Sequence, residues 1–128
     1  VREIECGIIG NTKNLLTSEI GEVKYESDWY DYDSKYNSNN KIIIPAEIDS
    51  KITKEIKEIA IQSCRALNIF GFARVDFFLE KSSNKIFINE INTIPGFTQK
   101  SMFPMLWKAS GLNIEQLVAK LVEISLDF

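Results

Sequence analysis

Gly71-Phe-Ala-Arg-Val-Asp-Phe-Phe-Leu79, followed by Lys85-Ile-Phe-Ile-Asn-Glu-Ile91, is the stretch that decides the fold of this 128-residue chain. Both runs are rich in β-branched and aromatic residues, and the polar residues 81–84 between them are typical of a turn. Together they predict an antiparallel β-hairpin. Because apolar residues occur on both faces of each run, we expect other elements to cover both faces.

The sequence on either side of this hairpin predicts three more strands and three helices. The strands are expected at residues 3–9, 15–23 and 42–44, with a bulge or a second turn at Gly21. One helix follows Asp49 as its N-cap, a short one follows Ser101, and Asn113 with Gln116 resembles a capping box for the last. The fold class is therefore α+β, a mainly antiparallel sheet with helices packed on it. The apolar stripes expected on the first and last helices are Ile52, Ile56, Ile59, Ala60, Ser63 and Leu67, and Ile114, Leu117, Val118, Leu121 and Val122.

Residues 25–41 form the long polar segment of the chain, without hydrophobic periodicity. Loops of this length in compact domains are usually functional or disordered. Trp29, Tyr30, Tyr32 and Tyr36 argue against simple disorder, because aromatic side chains can anchor a loop. We expect a loop that is mobile when its binding partners are absent.

The composition excludes several classes of function. A net charge of −3 with scattered basic residues gives no nucleic-acid surface. The absence of histidine excludes histidine-based catalysis and most zinc sites. Cys6 and Cys64 are expected to be buried thiols in a reducing compartment. No apolar run reaches membrane-spanning length and no signal peptide opens the chain, so the expected location is the cytoplasm. Val1 leads directly into a strand, from which we expect a piece of a longer protein.

Polar side chains interrupt the hairpin in a regular pattern. Arg74 and Asp76 share one face of their strand, and Glu90 and Asn92 share one face of the next. We expect Asp76 to lie opposite Glu90, in a regular ladder that also pairs residues 78 and 88. Two carboxylates and an amide oxygen beside a guanidinium suit Mg²⁺ and phosphate. The alternative is that these residues are only the solvated face of an antiparallel sheet.

At Gly71-Phe-Ala-Arg-Val-Asp-Phe-Phe-Leu79 and Asn89-Glu-Ile-Asn-Thr-Ile-Pro-Gly-Phe-Thr98 the chain resembles the ATP-grasp superfamily, and within it the D-alanine–D-alanine ligase family. Residues 30–36 look like that family's omega-loop, and residues 100–104 like its segment for the substrate carboxylate. The resemblance covers nearly all of residues 1–128. It implies that the chain is the C-terminal portion of an ATP-grasp domain, with residues 25–41 as an omega-like loop.

The resemblance implies metal and catalytic roles for five residues. Asp76, Glu90 and Asn92 match the family's ligands for two Mg²⁺ or Mn²⁺ ions, with Glu90 between them. Arg74 and the backbone N–H of Gly96 match the groups that stabilise the tetrahedral intermediate.

Five more residues match positions of the family that bind the D-alanine substrate (Ser101, Met102), bind the nucleotide (Glu3, Lys35) or take part in catalysis (Tyr36). Ser101 and the N–H of Met102 match the site for the second D-alanine's carboxylate, and Ser101 could instead be only a helix cap. Lys35 and Tyr36 match loop residues that close over the ATP phosphates and the first D-alanine, although Tyr36 could be only a loop anchor. Glu3 matches a carboxylate that binds the ATP ribose, and could instead be a solvated strand residue.

The family's reaction joins two D-alanines, with ATP converted to ADP and phosphate, for peptidoglycan synthesis. ATP is therefore an implied substrate and D-alanine an implied partner. The family also has an N-terminal domain and a central segment with a glycine-rich loop, and the resemblance leaves a homodimer open. Because neither region is present in residues 1–128, we expect the isolated chain to be inactive.

Two alternatives remain open from the sequence. One is a D-alanine–D-lactate or D-alanine–D-serine ligase, although the pair Lys35-Tyr36 resembles the dipeptide-forming enzymes. The other is a non-catalytic module that binds only a partner chain, which the intact residues at 76, 90 and 92 argue against.

Overall fold

A five-stranded antiparallel sheet is the centre of the fold. The computed structural model describes residues 1–25 and 40–128, and the bounds below refer to those ranges. The strands are β1 (Arg2–Asn11), β2 (Asn14–Lys24), β3 (Lys41–Ile43), β4 (Gly71–Leu79) and β5 (Ile86–Asn92), in the spatial order β3-β2-β1-β4-β5. The helices are α1 (Ser50–Ala66), α2 (Met102–Ala109) and α3 (Ile114–Ser125). This arrangement confirms the predicted α+β fold with a mainly antiparallel sheet.

The two faces of the sheet are covered differently. Alternate residues of β1 and β4 point towards α1, which fills the first face with Ile56, Ala60 and Cys64. On the second face, α2 and α3 pack only over one end of the sheet, around Ile9 and Phe72. The other end of the second face carries polar side chains and lies open. The position of α2 and α3 therefore decides where a site can form.

Two glycines let α2 approach the sheet closely. A Cβ atom on Gly7 would lie 2.8 Å from Trp107 Nε1, and one on Gly21 would lie 2.9 Å from Leu106 Cδ2. A larger residue at either position would push α2 away from the strands.

The predicted helix starts are confirmed, with one difference. Asp49 accepts a hydrogen bond from the N–H of Lys51, and Asn113 and Gln116 form a complete capping box. Ser101 occupies the N-cap position of α2, but its side chain makes no capping bond. Its hydroxyl accepts instead from the N–H of Thr98 at 3.0 Å, so the prediction of a side-chain cap is wrong.

The predicted register of the hairpin is confirmed at the polar residues and is wrong nearer the turn. Asp76 is paired with Glu90, as predicted, but a bulge between Asp76 and Phe77 shifts the ladder, so that Phe78 pairs with Phe87 and not with Ile88. Phe87 is 48% exposed and Ile88 46%. The expectation that both faces of β5 are covered is therefore wrong, because β5 is the edge strand.

Three smaller expectations are corrected or refined. The irregularity in the β1–β2 ladder falls between Cys6 and Ile8 and not at Gly21. The stripe of α3 is rotated, so that Leu117 and Ile124 are buried while Val118 is 46% exposed. Cys6 and Cys64 are free buried thiols, as expected, and burial raises their pKa values to about 12 and about 11. None of the helices in the two described ranges is long and apolar enough to cross a membrane.

Candidate functional site

The polar end of the second face is built from two rows of residues that cross three strands. Strand pairing places Glu5 of β1 beside Asp76 of β4, and Asp76 beside Glu90 of β5. The next row contains Gly7, Arg74 and Asn92 in the same order. The structure thus brings together four residues that the sequence predicted for this site, and adds Glu5.

Arg74 and Asp76 form a fork of two hydrogen bonds on this face. Arg74 Nε donates to Asp76 Oδ1 at 2.8 Å, and Arg74 Nη2 donates to Asp76 Oδ2 at 2.9 Å. The bonds to Asp76 raise the pKa of Arg74 above its usual range, against the opposing effect of burial. The side chains of Arg74 and Asp76 are only 17% and 13% exposed, so the pair is largely shielded from solvent and has a fixed orientation.

Glu5 is the second acidic side chain beside Arg74. Its Oε2 atom lies 3.2 Å from Arg74 Nε, is buried, and receives no hydrogen bond from the described part of the chain. Burial raises the pKa of Glu5 to about 7, and repulsion from Asp76 adds to this while Arg74 opposes it. Glu5 is therefore an incompletely satisfied carboxylate within the cluster.

Glu90 and Asn92 lie towards solvent at the edge of the sheet. Glu90 is exposed and makes no side-chain hydrogen bond or ion pair with residues 1–25 or 40–128. Asn92 is half-buried, and its Oδ1 atom accepts from the N–H of Ile94 at 3.1 Å. The carbonyl oxygen of an amide has two lone pairs, so Asn92 Oδ1 retains capacity for a second partner.

Glu3 lies on the same face of β1 as Glu5, because the two residues are two positions apart in the strand. Burial, together with the neighbouring carboxylate of Glu3, raises the pKa of Tyr25 above its usual range. Glu3 is half-buried and is therefore not a freely solvated strand residue.

The segment after β5 brings Gly96, Ser101 and Met102 to the N-terminus of α2. A Cβ atom on Gly96 would lie 2.9 Å from Ser101 Oγ, so the loop passes directly over the helix start. Gly21 is paired with Glu5, and a Cβ atom added to Gly21 would lie 3.2 Å from Met102 Sδ. The start of α2 therefore lies beside the polar cluster.

The remaining predicted site residues, Lys35 and Tyr36, lie outside the described residues. The same is true of most of the predicted loop at residues 25–41 and of its predicted mobility.

The donor set at Asp76, Glu90 and Asn92 fits a hard divalent cation. It offers two carboxylates and an amide oxygen, with Glu90 exposed at the edge of the sheet. Across both described ranges, no group of three or more His, Cys, Asp or Glu side chains has the spacing of a metal site. The predicted ligands include two such residues, so they leave most coordination positions to a ligand and to water, which is how Mg²⁺ is commonly bound with phosphates.

Glu5 is the residue that the sequence did not reveal. Its alternation with Glu3 is typical of an ordinary solvated strand. Its role depends on β1 pairing with β4, which joins positions about 70 residues apart in the chain. The sequence did show Glu5 two residues after Glu3, on the same face of the strand. That position indicates a role for Glu5 only when the pairing of β1 with β4 is known.

Comparison with known proteins identifies the family. The family model described as "D-ala D-ala ligase C-terminus" matches residues 1–123. A protein from Prochlorococcus marinus strain MIT 9215, named D-alanine--D-alanine ligase, is 91% identical over 99% of this chain and 36% of its own length. The chain thus spans about a third of the length of the curated relatives it matches.

Solved structures show the same similarity. The D-alanine-D-alanine ligase from Coxiella burnetii is 37% identical with a TM-score of 0.82, over 98% of this chain and 32% of that one. The VanG D-Ala:D-Ser ligase from Enterococcus faecalis is 38% identical with a TM-score of 0.82, over 96% and 36%. The chain belongs to the D-alanine–D-alanine ligase C-terminal family.

Proposed function

We propose that the chain supplies the metal-binding and part of the substrate-binding machinery of an ATP-dependent ligase that joins two D-alanines. ATP would be converted to ADP and phosphate, and the dipeptide would serve peptidoglycan synthesis. The observation that carries the proposal is the pairing of Arg74, Asp76, Glu90 and Asn92 on one open sheet face. Family membership makes this reaction the first to test. We place the protein in the cytoplasm, where ATP is available and free thiols such as Cys6 persist.

Asp76, Glu90 and Asn92 are the proposed metal ligands. Mg²⁺, or Mn²⁺ in its place, would neutralise the charge of the ATP phosphates when bound, and Asp76, Glu90 and Asn92 would hold two such ions. The exposure of Glu90 supports this, because that carboxylate makes no hydrogen bond or ion pair with residues 1–25 or 40–128 that a metal would have to replace. Asp76 is different, since it must share its oxygens with Arg74.

Arg74 and the N–H of Gly96 are the proposed stabilisers of the oxyanion that forms when an amine attacks an activated carboxyl group. A guanidinium that is fixed before the reaction needs little reorganisation when negative charge develops. The two hydrogen bonds from Arg74 to Asp76 support this role, because they fix the plane of the guanidinium.

Ser101 and the N–H of Met102 are the proposed binding groups for the carboxylate of the second D-alanine. The start of a helix favours an anion, because its N–H groups are unpaired and the helix dipole is positive there. The hydroxyl of Ser101 points to Thr98 and does not cap the helix, which leaves the first N–H groups of α2 available to a ligand.

Nucleotide binding is proposed for Glu3, towards the ribose, and for Lys35, over the phosphates. A catalytic role is proposed for Tyr36, which would close with Lys35 over the phosphates and the first D-alanine. The half-buried position of Glu3 at the polar end of the sheet supports the first assignment. In the proposed order, the first D-alanine is phosphorylated on its carboxylate, and the amine of the second then attacks the acyl phosphate with loss of phosphate. The residues of this chain act mainly by positioning and charge stabilisation.

D-serine as the second substrate is the alternative with direct support, because one of the similar solved structures is a D-Ala:D-Ser ligase. The pair Lys35-Tyr36 favours the dipeptide of D-alanine. A D-lactate-accepting ligase and a non-catalytic partner-binding module are further alternatives, and we regard the paired carboxylates as an argument against the module.

The chain would need the remaining two thirds of such a ligase to act. We propose that these segments, an N-terminal domain and a central glycine-rich segment, are its partners, and that the ligase pairs as a homodimer. The isolated chain would then have no ligase activity.

A chimera tests this proposal. Residues 1–128 replace the matching segment of the 91% identical Prochlorococcus marinus relative. The products formed from ATP with D-alanine alone, or with D-alanine and either D-serine or D-lactate, are identified by mass spectrometry. D-alanyl-D-alanine as the main product supports the proposal. D-alanyl-D-serine or the D-lactate ester as the main product would support the corresponding alternative, and no product at all would support the non-catalytic module.

A further inference from the structure

We propose that Glu5 is a positioning residue, the second anionic partner that holds Arg74 in place when a metal ion takes the carboxylate of Asp76. This inference rests on the proposed function, because it presumes that Asp76 binds a divalent cation.

The distances around Arg74 Nε show a shared donor. Nε lies 2.8 Å from Asp76 Oδ1 and 3.2 Å from Glu5 Oε2, yet only the contact with Asp76 is a hydrogen bond. Because Nε carries a single hydrogen, it can point fully at one carboxylate at a time. In the structure it points at Asp76, and Glu5 is a neighbour at ion-pair distance.

Metal binding would change this balance. A cation on Asp76 withdraws electron density from the oxygens that now accept from Arg74, and it also repels the guanidinium. Arg74 is only 17% exposed, so water can compensate little for weakened bonds. The guanidinium therefore needs another anion within reach if it is to stay where it is.

Glu5 is the carboxylate of the cluster that can meet this need. Glu90 is a proposed metal ligand itself, and Glu3 lies further along β1, opposite Phe78 and away from Arg74. Glu5 Oε2 is buried and has no hydrogen-bond donor in residues 1–25 and 40–128, so it is inaccessible to a solvated ion but already beside Nε. A small rotation of the guanidinium would turn the ion pair into a hydrogen bond.

We predict that Glu5 affects metal affinity through its contact with Arg74 and not by contact with the metal. Without the Glu5 charge, Asp76 is the one buried anionic partner that residues 1–25 and 40–128 leave to Arg74, so Arg74 competes harder with the ion for it. Glu5→Gln should therefore weaken metal binding although Glu5 touches no metal. In a chain without the Arg74 guanidinium, the same substitution should matter little.

A double-mutant cycle on Mn²⁺ binding tests this directly. The chimera, saturated with ADP, is titrated with Mn²⁺, and the free ion is measured by electron paramagnetic resonance. The four proteins are the unsubstituted chimera, Glu5→Gln, Arg74→Gln and the double variant. Glu58→Gln removes an equal charge from an exposed position on α1, behind the sheet, and is the matched control. Circular dichroism verifies the fold of each protein.

We expect Glu5→Gln to weaken Mn²⁺ binding about tenfold, the size of one charge-assisted hydrogen bond, and Glu5→Asp to weaken it less. In the Arg74→Gln background the loss should fall to about twofold or less. Glu58→Gln should leave Mn²⁺ affinity unchanged.

Two results would overturn the inference, and they differ from failure of the proposed function. Equal losses in both backgrounds would show that Glu5 acts on the metal as a ligand or as a distant charge. No loss in either background would show that Arg74 does not need Glu5. If the unsubstituted chimera itself bound no Mn²⁺, the proposed function would fail and this inference with it.

Discussion

Arg74 and Asp76 lie two residues apart on β4 and are joined by two parallel hydrogen bonds of 2.8 and 2.9 Å. This geometry needs a planar guanidinium, because a lysine ammonium cannot donate two parallel bonds to one carboxylate. These two hydrogen bonds hold the positively charged guanidinium of Arg74 beside the proposed metal ligands, where the proposed reaction would form an oxyanion.

Arg74→Lys should preserve the positive charge and lose the fixed geometry. We expect the turnover of the chimera to fall by about 100-fold, comparable to loss of an oxyanion-stabilising donor. The apparent affinity for ATP should change much less, since Arg74 would act mainly in the transition state. Phosphate release at saturating ATP and D-alanine measures the fall, and Lys108→Arg on α2 is a control for an exposed basic residue. Turnover near that of the unsubstituted chimera would contradict a role for the fork.

The partly buried ion pair between Arg2 and Glu22 gives the fold a pH dependence. Arg2 donates two bonds of 2.8 Å to Glu22, and they hold the pKa of Glu22 below its ordinary value of 4.5. A lowered pKa in the folded chain means that the pair stabilises above pH 4.5 and that this contribution disappears as pH falls through the folded pKa.

Glu22→Gln should therefore lower the free energy of unfolding by about 1–2 kcal/mol near neutral pH, a modest value because Arg2 is partly exposed. The difference from the unsubstituted chain should shrink once the pH falls below 4.5. Urea unfolding at several pH values measures both quantities. A difference that stayed constant down to strongly acidic pH would count against the assigned direction of the pKa shift.

Gly7→Ala tests the close approach of α2. The added Cβ would lie 2.8 Å from Trp107 Nε1 and 3.0 Å from Ser18 Oγ, so the helix or the strand must move. Overpacking of this kind typically costs about 1–3 kcal/mol of unfolding free energy. Thermal unfolding followed by tryptophan fluorescence reports on the same contact, and an unchanged midpoint with unchanged fluorescence would contradict the packing described here.

Asn113→Ala tests the capping box of α3. Loss of the bond from the N–H of Gln116 to Asn113 Oδ1, at 2.8 Å, should lower the free energy of unfolding by about 1 kcal/mol. Because α3 packs at the opposite end of the second face from the polar cluster, the turnover of the chimera should not change. Glu115→Ala, in the same first turn but outside the capping box, should have a smaller effect on stability.

Local chemistry explains what the sequence could predict. Asp49 and Asn113 were recognisable as caps because their spacing to the helix decides their role. The pairing of Asp76 with Glu90 followed from strand alternation, since a short turn joins the two strands. These features depend on neighbours in the chain, which a single sequence displays.

Non-local packing explains what the sequence could not predict. The bulge after Asp76 changes which face Phe87 occupies, and no residue type in this stretch indicates a bulge. Glu5 reaches Arg74 only through pairing of β1 with β4. The outward position of Val118 depends on how α3 is rotated over the sheet, because its helical spacing fits either orientation.

The turnover of the chimera carrying Asp76→Asn or Glu90→Gln tests most directly whether the paired carboxylates are the metal site of a ligase. Each substitution removes one negative charge and nearly preserves side-chain shape, so we expect the rate of ATP-dependent phosphate release with D-alanine to fall by about 100-fold or more. Circular dichroism should remain unchanged, and Glu58→Gln should retain full activity. Turnover near that of the unsubstituted chimera in both variants would contradict the account, because the metal would then be bound elsewhere.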